Sequence, residues 1–263
     1  LALKKVLTIA GSDTSAGAGM QADLKTFQEL DTYGMVALTA IVTMDKDTWS
    51  HDVTPLPMDV FEKQLETALS IGPDAIKTGM LGTEEIIKRA GEVYEASNAQ
   101  YFVVDPVMVC KGEDEVLNPG NTEAMIKYLL PKATVVTPNL FEAGQLSGLG
   151  KLNSIEDMVK YARRLKEMGA INVLVSMGKD GALLITEEDE VLISDVPKGK
   201  VKNSVGAGDS MVAGFISGYL NTGKYDYALK LGAASGSATA FSYDLAKREY
   251  IDKLVNEISV KQF

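Results

Sequence analysis

Short apolar runs and helical patterns alternate along this chain. Val6–Ala10, Val36–Val42, Ala75–Ile76, Tyr101–Val104, Thr134–Val136 and Val173–Val175 are almost continuously apolar or β-branched, as strands buried on both faces are. Between them, 20–32, 58–70, 84–96, 121–130 and 155–168 place apolar residues at helical spacing. Such alternation predicts an α/β fold with a mostly parallel central sheet and helices on both faces. Farther on, Ala182–Thr186 and Glu190–Ser194 flank an acidic turn and predict a hairpin, followed by helices over 208–221, 225–241 and 247–258. No linker, repeat or low-complexity tract interrupts the pattern, so 1–263 reads as a single domain. In open α/β sheets ligands sit at the carboxyl ends of the strands. Candidate chemistry is therefore sought just after each run.

Composition adds boundaries to this picture. With 46% hydrophobic and 24% charged residues the chain has ordinary globular material. A formal charge of −10 argues against a nucleic-acid partner, which needs a basic footprint. One cysteine cannot form an internal disulfide and suits a reducing compartment. Leu1–Lys5 lacks a long apolar segment, and no run approaches the roughly 20 residues of a membrane span. A cytoplasmic protein with no membrane partner is the expectation.

The strongest local signal is Asn203-Ser-Val-Gly206-Ala207-Gly208-Asp209-Ser210-Met-Val-Ala-Gly214-Phe. Two glycines around an alanine open a small-residue helix, so successive N–H groups and the helix dipole face one point and welcome an anion. Asp209 lies in that first turn, where a carboxylate can orient an attacking hydroxyl. The alternative is a tight turn followed by an ordinary helix-start acid. This segment resembles the second signature of the ribokinase (phosphofructokinase-B) superfamily. The resemblance implies a ribokinase-like three-layer sandwich, with Gly206, Ala207 and Gly208 as the anion hole and Asp209 as catalytic base. Val173–Gly181 resembles the strand and loop that touch nucleotide phosphates, and residues from about 158 onward are most similar to 1-phosphofructokinases and tagatose-6-phosphate kinases.

The first half points to another branch. Thr8-Ile-Ala-Gly11-Ser12-Asp13-Thr-Ser-Ala-Gly17-Ala18-Gly19-Met-Gln21-Ala22-Asp23 is a small-residue loop after the first strand, with polar Ser12 and Asp13 at its mouth. Gly17-x-Gly19-x-x-Ala22 nearly copies a dinucleotide fingerprint, but it starts too far beyond the strand, and no Lys-Ser/Thr pair makes it a Walker loop. The loop resembles the substrate loop of hydroxymethylpyrimidine kinases and their pyridoxal-kinase relatives. Lys77-Thr-Gly79-Met80-Leu-Gly82-Thr83, Val104-Asp105-Pro106-Val107-Met108 and Thr137-Pro138-Asn139-Leu-Phe-Glu142 resemble further segments of that branch. Over residues 3 to about 157 the chain is similar to the pyridoxal kinases of Gram-positive bacteria. The early Gly-Gly-Lys-Gly-x-Asn motif of the sugar kinases is missing. Asp105 and Glu142 offer the hard oxygen ligands that Mg²⁺ prefers, although Glu142 also suits a helix first turn after Pro138.

Cys110 and His51 stand alone among residues of their kinds. Lys111 beside Cys110 favours a thiolate, and by resemblance this position captures a substrate aldehyde; an inert packed cysteine is the alternative. His51 follows Trp49 in a polar stretch and either closes over a substrate ring or is a plain surface histidine. The two branches meet near Glu156–Val159. Vitamin-kinase relatives usually have cysteine where Asp209 stands and lysine where Ser176 stands, which suggests either a natural outlier or a hybrid of two homologous folds. The expected function is ATP- and Mg²⁺-dependent phosphorylation of a primary hydroxyl of pyridoxal or hydroxymethylpyrimidine. The resemblance implies a substrate pocket of Gly11, Asp13, Ala18, Met44, His51, Met80, Val107 and Cys110. Nucleotide contacts would come from Asp105, Asn139, Glu142, Ser176 and Gly178, with Asp105 and Glu142 at the metal. A phosphosugar kinase and a folded hybrid that binds without turnover are the competing expectations. By resemblance the chain would form a homodimer.

Overall fold

The computed structural model describes residues 2–108, 119–152 and 154–263. Among these, ten strands form one sheet in the order β10-β9-β8-β7-β6-β5-β4-β1-β2-β3. β1 (Lys4–Asp13) is flanked by β2 (Thr32–Met44) and β4 (Ala75–Thr78), and β5 (Tyr101–Val104), β6 (Val135–Val136) and β7 (Asn172–Ser176) continue beyond β4. These six run parallel. β3 (His51–Pro55) is antiparallel to β2 at one edge. At the other, β8 (Ala182–Ile185), β9 (Val191–Ser194) and β10 (Val260–Gln262) extend the sheet in antiparallel fashion.

Alternate strand residues feed two cores, as the period of two requires. Leu7, Ile9, Ile76, Phe102, Val104, Val136, Val173 and Val175 pack on one face against α2 (Met58–Ile71), α3 (Glu84–Ala96), α4 (Pro119–Tyr128), α5 (Leu140–Ser147) and α6 (Ile155–Glu167). Val6, Ala75, Val103, Val135 and Leu174 pack on the other, against Phe27 of α1 (Gly19–Glu29) and against α7 (Ala207–Thr222) and α8 (Tyr225–Ala240). α9 (Arg248–Val255) covers α8 from outside through Ile251 and Leu254. The predicted layers are therefore present.

Local chemistry explains where the helices start. Thr83 accepts the Ile86 N–H at the head of α3, where Glu84 and Glu85 complement the dipole, and Ile86, Ile87, Ala90 and Val93 form its buried stripe. Ser154 and Asp157 close a reciprocal capping box on α6.

Several elements depart from the pattern. α1 ends at Glu29, not at residue 32, because Asp31 takes a left-handed turn (φ 54°) that delivers the chain straight into β2. β2 runs well beyond 36–42 at both ends. β3 and β10 carry too many exposed polar residues to register as strands, since edge strands need not bury both faces. The hairpin at 182–194 is not the sheet edge, because β10 pairs with β9.

Candidate active site

The carboxyl ends of the parallel strands open onto one cavity of about 560 Å³. It lies where the strand order reverses across β1, the position at which open α/β sheets bind ligands. Gly11 sits at an irregularity of β1 between Ala10 and Ser12, and a side chain there would meet Met80 Cε at 2.7 Å. A side chain at residue 11 would have to displace the end of the Met80 side chain, which lines the cavity.

Asp13, expected as a substrate ligand, lines the cavity, yet its carboxylate is occupied by its own loop. Oδ1 accepts from the Ser15 N–H and hydroxyl, both at 2.8 Å; Oδ2 accepts from Gly17 N–H (3.1 Å) and Ala18 N–H (2.9 Å). It is the internal brace of the 13–19 loop.

That loop lies against the start of α7. Gly206 is left-handed (φ 73°), and a Cβ there would overlap the Gly17 carbonyl oxygen. Gly208 is helical, and a Cβ there would meet nothing within 4 Å. The Ala207 N–H donates to the Ser204 carbonyl oxygen at 3.3 Å, while Gly208 and Asp209 open the helix with no preceding helical turn to accept their N–H groups, an arrangement suited to an anion. Asp209 faces the same cavity. Its Oδ2 accepts the Gly19 N–H at 3.1 Å, so residues 190 positions apart in sequence are joined directly.

Beneath Asp209 lies a lysine to which sequence reading gave no role. Lys77, at the end of β4, is fully buried. Its Nζ lies 2.9 Å from Asp23, 3.5 Å from Asp209 Oδ1 and 3.7 Å from Asp105 Oδ2. Burial alone would lower the Lys77 pKa, but Asp23, Asp209 and Asp105 outweigh it and hold it above the ordinary lysine value. Burial pushes Asp23 up to about 6, opposed by Lys77 and by a 2.6 Å hydrogen bond from Thr8 Oγ1. Both partners are therefore charged at neutral pH. The available signal was a lysine closing the apolar run Ala75–Ile76, where a strand end buried on both faces must pair any charge.

Asp105 and Glu142 face the cavity a little farther along. Burial raises Asp105 to about 7, with Lys77 opposing and Asp209 and Asp23 adding to the rise. Burial also raises Glu142 to about 8, with Asp105 contributing by repulsion. The helix-start reading of Glu142 is the one seen directly. Its Oε2 accepts the Asn139 N–H at 2.9 Å while Asn139 Oδ1 accepts the Glu142 N–H at 2.9 Å, a capping box at the head of α5. Among the described residues no cluster of three or more His, Cys, Asp or Glu could hold a metal. Two buried acids that repel each other, with Lys77 near Asp105 alone, still fit Mg²⁺, which typically takes one or two carboxylates and completes its shell with phosphate oxygens and water.

The cavity collects most of the expected site: Gly11, Ala18, Met44, His51, Met80, Val107, Asn139, Ser176, Gly206 and Gly208 all line it. His51 opens strand β3 opposite Met44, and so is placed by the sheet, not by a loop. Gly178 sits in a short 3₁₀ turn after β7 and is not on the wall, and Ala207 is not on it either. Cys110 lies outside the described residues. Val42, Trp49, Thr137 and Val205 line the wall without having been expected.

These features define an α/β domain whose cavity at the strand ends brings an apolar wall, the start of α7 and the Asp209 carboxylate together. The chain belongs to the phosphomethylpyrimidine kinase family, whose model matches residues 13–246. It is 92% identical over 179 residues to a putative pyridoxine kinase of Staphylococcus aureus, covering 68% of this chain and 65% of that protein. Its fold matches the structure of the pyridoxal kinase from S. aureus in complex with AMP-PCP and pyridoxal, with a TM-score of 0.87, 60% identity and both chains covered completely. The ribokinase-like architecture is thereby established. A 1-phosphofructokinase of Bacillus subtilis is 46% identical over 138 residues, 52% of this chain and 45% of that enzyme. This partial match does not support the expected hybrid of two branches.

Among the described residues no helix is long and apolar enough to cross a membrane.

Proposed function

We propose that this protein transfers the γ-phosphate of ATP to the hydroxymethyl group of a small heteroaromatic vitamin precursor, pyridoxal or hydroxymethylpyrimidine. The observation that carries this reading is the position of Asp209. Its carboxylate sits at the mouth of the α7 anion site and is hydrogen-bonded to the loop that shapes the organic end of the cavity. A hydroxyl placed there has an acceptor for its proton on one side and a phosphate cradle on the other. The hydroxyl oxygen forms a bond to the γ-phosphorus as the bond to the ADP oxygen breaks, and the proton passes to Asp209.

The wall supports an uncharged aromatic acceptor. Val42, Met44, Trp49, Met80 and Val107 give an apolar surface, and among the described residues no lysine or arginine lines the cavity. A phosphosugar would bring a second dianion into a wall that already carries Asp13, Asp105, Glu142 and Asp209. For the same reason the nucleotide needs a cation. Asp105 and Glu142 would hold Mg²⁺, which when bound neutralises charge on the phosphates. The S. aureus pyridoxal kinase that resembles this chain binds AMP-PCP and pyridoxal, which agrees with this assignment.

The test is ADP release with Mg-ATP and, separately, pyridoxal, hydroxymethylpyrimidine and fructose 1-phosphate, with Asp209→Asn in parallel. Turnover on a vitamin precursor, reduced about 100-fold or more in the variant, is expected. Turnover on the phosphosugar alone would overturn the substrate assignment. Binding of both ligands without turnover would make this a folded binder.

A further inference from the structure

Lys77 is more than a buried counterion. An ion pair with Asp23 alone would do little for stability, because the desolvation of two charges offsets their attraction. Here one ammonium is surrounded by three carboxylates at the floor of the cavity, and only Asp23, itself fully buried, lies at hydrogen-bond distance. Thr8 Oγ1 donates to the same Asp23 oxygen, Oδ2, at 2.6 Å. An ammonium has three donors. With one spent on Asp23, Nζ stands 3.5 Å from Asp209 Oδ1, a gap that closes to an ordinary hydrogen bond by a shift of about 0.5 Å. The other oxygen of Asp209 is held by Gly19 N–H. The carboxylate is thus hydrogen-bonded at Oδ2 by the substrate loop and faced at Oδ1 by the ammonium on β4.

We propose that Lys77, anchored by Asp23, is a positioning residue that fixes the rotation of the Asp209 carboxylate. This rests on the assignment of Asp209 as the proton acceptor. Fixing the carboxylate sets how often Oδ1 and Oδ2 are turned correctly toward the hydroxyl and leaves the organic pocket untouched, while the 3.7 Å approach of Nζ to Asp105 Oδ2 also reaches the nucleotide side. Loss of that alignment lowers kcat and spares substrate affinity.

The test removes both buried charges together, since deleting one would strand the other: Asp23→Asn with Lys77→Met in the full chain, assayed with pyridoxal and saturating Mg-ATP. We expect kcat to fall about 10- to 100-fold while KM for pyridoxal stays within about threefold. The same pair of changes is then made in Asp209→Asn. If Lys77 acts through Asp209, it causes less than about a threefold further loss there. A full multiplicative loss in that background, or a parent-like kcat in the double variant, overturns the proposal. Should the double variant not fold, Asp23→Asn alone is read in the same cycle by the same criterion. A parent-like rate in Asp209→Asn by itself refutes the base assignment. An Asp209-dependent reaction that ignores the Lys77 changes refutes only this inference.

Discussion

Gly206 and Gly208 are two residues apart in one turn, yet the structure assigns them opposite roles, and alanine substitution separates these. At Gly206 a methyl group would overlap the Gly17 carbonyl oxygen, lie 3.0 Å from Leu245 Cδ2, and be held at φ 73°. The left-handed conformation alone costs about 1–2 kcal/mol for an L-residue. Relief of the backbone overlap adds to that, for a total of about 3 kcal/mol or more. A domain of this size then melts about 6–12 °C lower. Gly208 is helical with open space around it, so alanine removes a flexible residue from a helix and adds up to about 0.5–1 kcal/mol of stability. Its melting temperature should stay level or rise by about 1–3 °C. The open space is the cradle itself, however, and a methyl group there displaces the phosphate. We expect kcat/KM for ATP to fall about 100-fold or more in Gly208→Ala, a loss equivalent to about 2.7 kcal/mol of transition-state binding. Differential scanning fluorimetry and steady-state ADP release check the two quantities. A Gly208→Ala protein that is more stable and turns over normally would refute the placement of the phosphate. If both variants lost stability alike, the steric argument itself would fail.

Glu142 gives a pH signature. Its folded pKa of about 8 lies above the unfolded value, so the folded state binds the extra proton, and its stabilising share is lost as pH rises through about 8. The melting temperature should therefore decline between about pH 5 and 8 more steeply in the parent than in Glu142→Gln. Added Mg-ATP should lessen the decline by favouring the ionised acid; equal slopes in parent and variant would count against the buried acid. Tyr161 offers a purely structural contrast. Its buried hydroxyl donates to the Gly150 carbonyl oxygen and accepts the Leu152 N–H at 2.7 Å. Tyr161→Phe should cost about 1–2 kcal/mol in denaturant unfolding with kcat and KM unchanged, and a kinetic effect would tie the 148–152 loop to the site.

The sequence by itself determined the layers and the face on which ligands bind. Runs such as Val173–Val175 are apolar on both faces only because helices cover both, and the helical stripe through Ile86, Ile87, Ala90 and Val93 needs no tertiary information to be seen. It also placed the candidate chemistry at strand ends, since Asp105 and Ser176 follow an apolar run directly and Asn139 follows one after Thr137 and Pro138. Edge strands β3 and β10 were not legible, because half-exposed strands lose the apolar signal that marks central ones. Roles that depend on a partner far along the chain were hidden too. Asp13 looked like a ligand and serves its own loop, a distinction set by where the N–H groups of Ser15, Gly17 and Ala18 point. Glu142 looked like either a cap or a metal ligand, and the fold lets one carboxylate be available for both. Lys77 is the clearest case. Its importance comes from Asp23 on α1, Asp105 after β5 and Asp209 on α7, three elements that meet only when the sheet is assembled around β1. Periodicity reports which face of an element is buried. Which charges then share that burial is decided by the crossing of elements, and in a low-dielectric interior that sharing sets what each charge can do.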